Sequence, residues 1–351
     1  MKNKKFFLPI AFFLSLIFIF TGCNKKNEKD TISVAVFVPG IMADSPIYNM
    51  LAQGVTSAVE EYNSNVEDEK KVNITILEAG TNQAEWASKI TALAASELHD
   101  VIISSNPALP DIIAPLTVQF PKQKFIILDA FYEGNKSIAT IRYNQREQAY
   151  LTGYIAALIS TANTEDLPFA NPEPKLGFIA AQEYPVMNEI LLPSFIEGAK
   201  AANPDSSVEF RIVGNWYDAA KGAELAKALY KEGVDVILPI CGGASQGVIS
   251  SAKDLGFYIT WFDDNGFSKA PGYIVSSSVM AQERMAKEIT LRFLDGSLEF
   301  GKAETVGIPE GYVDFVQDDS LYIETVPADI RLKMKNLVNS IKSGQLLLPS
   351  P

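Results

Sequence analysis

Histidine, cysteine and positive charge are all scarce in this sequence of 351 residues. His99 is the single histidine, and Cys23 and Cys241 are the only cysteines. A histidine-based catalytic triad, a His/Cys metal cage or a disulfide-stabilised fold is therefore not expected. Lysine and arginine together number 30 against 42 aspartates and glutamates, which gives a net charge of −12 and argues against binding to nucleic acid.

The remaining composition is that of a folded protein. Hydrophobic residues make up 47% of the chain and charged residues 21%, which is typical of globular rather than disordered sequences. The length predicts about two domains, each large enough to bury its own core.

The amino terminus has the pattern of a secretory signal over residues 1–22. Three lysines among the first five residues precede an apolar run over residues 6–20, which is too short for a confident membrane-spanning helix. Small residues then lead to Cys23, as in a lipoprotein signal. We expect lipidation of Cys23, a polar tether over residues 23–32 and anchoring to the cell membrane outside the cytoplasm (extracytoplasmic or periplasmic). The alternative is an ordinary signal peptide with an incidental cysteine.

Short β-branched runs alternate with helical patterns from residue 31 onward. Strands are predicted over residues 33–38, 72–77, 101–104, 125–128, 176–180, 208–213, 234–240, 258–262, 273–279, 305–308 and 312–316. Helices are predicted over residues 48–62, 85–96, 148–160, 189–202, 219–230, 247–255, 282–294 and 328–341. Apolar strands separated by helices predict an α/β fold with parallel sheets covered on both faces. A faint repeat, in which "ELHDVIISS" resembles "KEGVDVILP", suggests two related halves.

One segment resembles the nucleophile elbow of a serine hydrolase. Residues 243–247 read Gly-Ala-Ser-Gln-Gly between a predicted strand and a predicted helix. A hydrolase of this class needs a histidine after the serine, and none follows Ser245. We therefore interpret the segment as a glycine-rich turn and expect no enzymatic activity. Adjacent aspartates at 263–264 and 318–319 are more typical of solvated loops than of a metal site.

The residues after the predicted strands are the candidate ligand-binding residues, because open α/β sheets bind ligands at the carboxyl ends of their strands. They combine aromatic rings, neutral amides and single carboxylates and include no lysine or arginine: Asp44, Ser45, Tyr48, Asn106, Asp129, Gln182, Tyr184, Asn215, Trp216, Gly243, Ser245, Trp261 and Asp263. This set favours an uncharged planar ring system that carries hydroxyl groups. Each aromatic residue could instead be a packing residue.

Several long motifs resemble the basic membrane protein family of ABC-transporter substrate-binding lipoproteins. They include "ATIRYNQREQAYLTGYIAAL", "LGFIAAQEYPV" and "VGNWYDAAKGAELAKALYKEGVDVILPICGGASQG", in that order. The resemblance implies a type I periplasmic-binding-protein fold, with two Rossmann-like lobes joined by a three-crossover hinge. It places residues 33–145 and about 277–300 in an N-terminal lobe, and residues 146–276 and about 301–351 in a C-terminal lobe.

The best-known branch of that family binds purine nucleosides, and this sequence departs from it. Of the branch's Asn-Asp pair in the first loop, only Asp44 remains, and a ligand-binding lysine falls near Met280 and is missing. Asp263 matches the aspartate that holds sugar hydroxyls, but Trp261 and Phe262 precede it. These features resemble the riboflavin-binding branch.

The resemblance therefore implies a monomeric receptor that delivers riboflavin to a membrane permease driven by an ATPase, with no cofactor of its own. We expect Trp216 and Tyr48 to stack on the ring, and Asn106 and Gln182 to contact its polar edge. The hydroxyl groups of the ligand would bind Asp44 and Asp263. Residues 243–245 would bring the backbone into close contact with the ligand. A purine-nucleoside receptor and a surface adhesin or signalling receptor without transport remain alternatives.

Overall fold

The structure, a computed structural model, describes residues 31–350 of the chain. The predicted signal segment and Cys23 lie outside these residues. Within residues 31–350, no helix combines the length and the apolar character that crossing a membrane requires.

Two six-stranded sheets form the centres of two lobes. The first sheet contains β1 (Ser33–Val38), β2 (Asn73–Glu78), β3 (Val101–Ser105), β4 (Lys124–Leu128), β5 (Ile138–Tyr143) and β11 (Ala303–Val306). The second contains β6 (Lys175–Ala180), β7 (Ser207–Ile212), β8 (Val236–Ile240), β9 (Tyr258–Asp263), β10 (Ile274–Met280) and β12 (Val313–Phe315). All neighbouring strands are parallel except β10 and β12, so the prediction of an α/β fold with parallel sheets is confirmed.

Eleven α-helices cover the two sheets in the described part of the chain. They are α1 (Pro46–Ser64), α2 (Trp86–Ala95), α3 (Leu109–Ile113), α4 (Leu116–Gln119), α5 (Gln145–Ser160), α6 (Leu192–Ala202), α7 (Ala219–Lys231), α8 (Ser245–Leu255), α9 (Gln282–Leu294), α10 (Ser320–Thr325) and α11 (Ala328–Lys342). The central strands β1, β3, β4 and β8 are buried almost throughout because helices cover both faces, which explains their continuous apolar sequences.

The two lobes repeat one topology. The strand order is β11-β5-β4-β3-β1-β2 in the first sheet and β12-β10-β9-β8-β6-β7 in the second. Each strand of one sheet therefore has an equivalent in the other, and β4 corresponds to β9. The two related halves suggested by the sequence are present in the fold.

The chain crosses between the lobes three times. It leaves β5 for α5, which packs against α6 in the second lobe, and leaves β10 for α9, which packs against α1 in the first. The third crossover joins β11 in the first sheet to β12 in the second. This is the three-crossover connection that the resemblance implied.

Two expected lobe boundaries need correction. Residues 277–280 belong to the second lobe, because β10 continues to pair with β9 as far as Val279 opposite Asp263. Residues 303–306 belong to the first lobe, because Ala303 pairs with Thr140 of β5. The third crossover therefore follows residue 306 rather than residue 300. The prediction also omitted β5, whose sequence IATIRY lacks a continuous apolar run.

Helix α5 is fixed in the second lobe by a very close crossing with α6. Gly153 of α5 faces the backbone of Phe195, and Gly198 of α6 faces the backbone of Tyr150. A Cβ atom at either glycine would overlap the carbonyl oxygen of the opposite residue. The absence of both side chains therefore allows this crossing, which positions the helix that follows the first crossover.

Replacement of Gly153 by alanine should lower the free energy of unfolding by about 1–3 kcal/mol, because the added methyl group must push the two helices apart. Alanine would otherwise favour a helix by roughly 1 kcal/mol over glycine. Chemical denaturation measures the change. Lys200→Ala, at an exposed position of α6, is the matched control and should have little effect. Equal stability of Gly153→Ala and the wild-type protein would contradict the close crossing.

Candidate functional site

Two aspartates occupy equivalent positions at the carboxyl ends of the two sheets. Asp129 directly follows β4, and Asp263 is the last residue of β9. Both have left-handed backbone conformations, with φ of +54° and +76°. Such conformations are uncommon for residues other than glycine and are often found at functional sites. The fold thus brings one carboxyl from each lobe to the cleft between them.

The environment of both carboxyls disfavours negative charge. Burial, and secondarily the neighbouring Asp264, raises the pKa of Asp263 to about 7, although a hydrogen bond from Gln148 partly opposes this change. Burial also raises the pKa of Asp129 well above its ordinary value, and repulsion from Asp263 adds to the effect. The charge of Asp263 therefore affects the ionisation of Asp129 across the cleft.

Tyr48 forms the aromatic part of the site on the first lobe. It lies in the first turn of α1, and its hydroxyl accepts a hydrogen bond from Asn106 Nδ2 at 3.4 Å. Its ring lies on Gly40, where a Cβ atom would come within 2.8 Å of Tyr48 Cε2. Burial raises the pKa of Tyr48 to about 12, so its hydroxyl stays neutral and can still donate a hydrogen bond.

Tyr184 and Trp216 form the aromatic part on the second lobe. Their ring centroids are 6.2 Å apart, with an angle of 44° between the planes. Burial raises the pKa of Tyr184, and the charges of Asp129 and Asp263 raise it further. Tyr184 is therefore close to both carboxyls, and aromatic groups from the two lobes surround the aspartate pair.

The glycine-rich turn after β8 supports Trp216. Gly242 has a φ of +56°, and a Cβ atom there would lie 2.9 Å from the carbonyl oxygen of Trp216. The same carbonyl accepts a hydrogen bond from the backbone N–H of Ala244. Gly243 belongs to the same turn, and a Cβ atom there would lie at an ordinary contact distance of 3.5 Å from that carbonyl oxygen.

Three of the predicted ligand-binding residues have side-chain contacts within the second lobe. Trp261 is 8% exposed, donates to Asp264 Oδ1 at 2.6 Å and packs on Gly266. The Ser245 hydroxyl is buried 3.3 Å from the sulfur of Cys241. The side chain of Asn215 accepts from two backbone N–H groups of its own loop. Each side chain already has partners within the second lobe, and the assignment of these three residues as direct ligand contacts stays a prediction.

The other predicted residues lie on the expected loops. Asp44 ends a short 3-10 helix over Met42–Asp44 before α1, and Ser45 is the residue immediately preceding α1. Gln182 follows β6 by two residues and is half-buried. Asn106 is next to Tyr48 and also accepts a hydrogen bond from the N–H of Ala108.

Sequence analysis missed Gln148, which lies on α5 and donates to Asp263 Oδ1 at 3.3 Å. Its only sequence signal is a position near the start of a helix that follows a crossover. Tyr143, at the end of β5, was also missed. It donates to Gln282 Oε1 at 2.7 Å and links the first two crossovers.

The arrangement lacks the geometry of a serine hydrolase. His99 lies at the amino end of β3, where its Nδ1 is 2.9 Å from the hydroxyl of Ser33, while Ser245 lies at the carboxyl end of β8. In the part of the chain that the structure describes, no group of three or more histidine, cysteine or acidic residues could hold a metal ion.

Two open surface cavities, of about 450 and 300 Å³, lie along α1. Neither is lined by the aspartate pair or by the tyrosine and tryptophan residues described above. We therefore define the candidate site by its side chains rather than by a cavity.

Asp263→Asn should stabilise the protein at pH 8 by about 1–3 kcal/mol. The raised pKa makes the folded state bind more protons than the unfolded state between about pH 4 and 7, so wild-type stability falls as pH rises through that window. Asparagine removes the charge and tolerates the left-handed backbone. Denaturation at several pH values should show a gain that fades towards pH 4.

Asp295→Asn provides the control for this measurement. Asp295 is exposed, and hydrogen bonds from Ser297 lower its pKa, so its replacement should give no such gain. Asp129→Asn combined with Asp263→Asn should stabilise by less than the sum of the single changes, because either change relieves their mutual repulsion. Strictly additive effects would contradict the coupling.

The comparisons with known proteins agree with this fold. A family model described as "ABC transporter substrate-binding protein PnrA-like" matches residues 31–346. Basic membrane protein A2 of Borrelia garinii is 26% identical over 341 residues, which cover 94% of this chain and 93% of the relative. The ABC transporter nucleoside-binding protein BmpA of Lactococcus lactis is 25% identical over 260 residues, with 69% of each chain covered.

A solved structure has the same architecture. The ABC transporter solute-binding protein of Aeropyrum pernix superposes with a TM-score of 0.75 at 18% identity and covers 91% of this chain and 94% of that one. At this identity the likeness concerns the fold alone. The family match over nearly the whole described chain is the stronger finding, and it shows that this protein belongs to the PnrA-like, or basic membrane protein, family of ABC transporter substrate-binding proteins.

Proposed function

We propose that this member of the family is a lipid-anchored receptor that captures riboflavin between its lobes and delivers it to the transporter. Substrate-binding proteins of ABC transporters act outside the cytoplasm, together with a membrane permease and an ATPase, and are not a class of enzymes. For this chain we propose riboflavin as the ligand and Cys23 as the site of the lipid anchor.

The aspartate pair carries the argument for a ligand rich in hydroxyl groups. A carboxyl group accepts hydrogen bonds through its oxygen atoms whether it is ionised or not, and two carboxyls lie at the cleft without a lysine or arginine among the site residues. A phosphate or carboxylate at this position would find no cation to balance its charge. Hydroxyl groups can instead donate to both Asp129 and Asp263, and the ribityl chain of riboflavin offers several.

The aromatic residues support a flat ring as the other half of the ligand. Tyr48 comes from the first lobe, and Tyr184 and Trp216 come from the second. A planar ring between these groups would contact both lobes at once. Because a ligand shifts a conformational equilibrium only through contacts that differ between the two states, such a bridging ring would favour the closed form.

Riboflavin and purine nucleosides both fit this description, and they differ in ring size. The sequence favours riboflavin, since the ligand-binding lysine of the nucleoside branch is missing. A purine nucleoside is the second candidate, supported by the name of the Lactococcus lactis relative. The hydrogen bond of Trp261 to Asp264 within the second lobe weakens its contribution to the case for the larger ring.

The bound molecule identifies the ligand class. We expect purified protein to release riboflavin on denaturation, and ligand-stripped protein to quench riboflavin fluorescence on titration. Inosine and guanosine should compete weakly, and flavin mononucleotide should compete least because its phosphate meets the two carboxyls. Released purine nucleoside, or stronger binding of inosine than of riboflavin, would replace our choice with the second candidate.

Trp216→Ala should weaken ligand binding by about 1–3 kcal/mol, the range found for loss of aromatic stacking on a base, and should change the unfolding temperature little. Trp261→Phe is the matched comparison, because it removes the hydrogen bond to Asp264. It should lower stability and leave the affinity of the folded protein nearly unchanged. If Trp261→Phe weakened binding and Trp216→Ala lowered only stability, then Trp261, not Trp216, would contact the ligand.

A further inference from the structure

Gln148 joins the candidate site to the framework of the second lobe. Its side chain is completely buried, and Nε2 donates both to Asp263 Oδ1 at 3.3 Å and to the carbonyl oxygen of Ser278 at 3.0 Å. Asp263 ends β9 and Ser278 lies on the adjacent β10, so one amide group bridges the ends of two neighbouring strands.

Gln148 lies on a helix that packs closely within the second lobe. Gln148 is the fourth residue of α5, which directly follows the first crossover. Helix α5 is fixed by its close crossing with α6. Ser278 is two residues before the end of β10, where the second crossover begins. The carboxyl of Asp263 is therefore held from a helix that packs closely against the second lobe.

The groups that face Asp263 otherwise oppose its negative charge. Asp264 lies beside it on the same loop, Asp129 faces it from the other lobe, and its charge also acts on Tyr184. The nearby cation Lys269 is 3.2 Å from Asp264 and is paired there. The N–H of Gln148 favours the ionised form of Asp263, since a hydrogen bond to a carboxylate stabilises its charge.

We propose that Gln148 is a positioning residue, which orients the Asp263 carboxylate towards the cleft and keeps it able to accept hydrogen bonds from the ligand. The inference rests on the proposed function, in which Asp263 binds ligand hydroxyl groups. It assigns to α5 a role in ligand affinity, although Gln148 itself need not touch the ligand.

Gln148→Met tests the proposal by removing the donor at nearly constant volume. Affinity for riboflavin, or for inosine if riboflavin does not bind, should fall roughly tenfold at pH 7, as expected for the loss of a hydrogen bond to a charged group. The pH below which affinity declines should move upward, because Asp263 becomes harder to ionise. An unchanged pH profile would overturn the proposal.

Thr152→Val is the matched control. Thr152 lies one turn further along α5, is also completely buried and contacts the hydroxyl of Ser278 at 2.8 Å without reaching Asp263. It should reproduce any loss of packing between α5 and β10 but leave the pH profile in place. An equal shift of the profile in Thr152→Val and Gln148→Met would reduce Gln148 to a structural residue.

Gln148→Glu should reverse the dependence of ligand affinity on pH. A neutral glutamic acid can still donate to Asp263, whereas a glutamate repels it, so affinity in this variant should fall as pH rises. A pH profile of Gln148→Glu that matches the wild-type profile would contradict the role of the donor.

Titration of the Asp263 carboxyl in the ligand-free protein separates this inference from the proposed function. Carboxyl carbon chemical shifts should give a higher apparent pKa for Asp263 in Gln148→Met than in Thr152→Val. Equal values would overturn the role of Gln148 even if riboflavin binds. A higher value without binding of either compound would support that role and reject the proposed ligands.

Discussion

The central constraint in this protein is the presence of two facing carboxyl groups in a cleft that contains no compensating cation among its site residues. Asp129 and Asp263 hold their positions through left-handed backbone conformations at equivalent strand ends, so the repeat itself creates the pair. Burial without a counterion disfavours ionisation and destabilises the closed arrangement. Such a pair is useful only if a bound molecule supplies hydrogen-bond donors to both members.

This constraint links ligand binding to lobe movement. Under the proposed function, ionisation of both carboxyls would oppose approach of the two lobes in the absence of a ligand. A ligand that donates to Asp129 on one side and Asp263 on the other would replace this repulsion by attraction in a closed form. The same molecule can place its ring among Tyr48, Tyr184 and Trp216, so polar and apolar contacts both favour closure.

Sequence reasoning predicted the fold well because the central strands are short, apolar and separated by helical patterns. It also predicted that Asp129 and Asp263 lie at strand ends, since the end of a buried strand is recognisable without knowing the tertiary structure. It could not predict the surroundings of Trp261, which has the same local sequence setting as any aromatic residue at a strand end. Its actual environment depends on Gly266 and Asp264, whose loop folds back onto the indole ring. Gln148 could not be assigned because helical periodicity does not reveal which lobe the helix joins after a crossover.

The composition of the site indicates that ligands are selected first by their charge and then by their shape. Carboxyls and aromatic hydroxyls can bind hydroxyl, amide and ring N–H groups, but they offer little to a phosphate. Exclusion of anionic forms would require no additional residue, because no lysine or arginine among the site residues balances their charge and the ionised form of Asp263 would repel them. Discrimination between a flavin and a purine instead depends on the separation of the aromatic groups in the closed form. Trp216 is held by the backbone of the Gly242 turn and Tyr48 by its contact with Gly40. The Tyr48 ring therefore rests on a glycine that leaves no space for a side chain, and the backbone of Trp216 lies equally close to Gly242, so glycines help to set both positions.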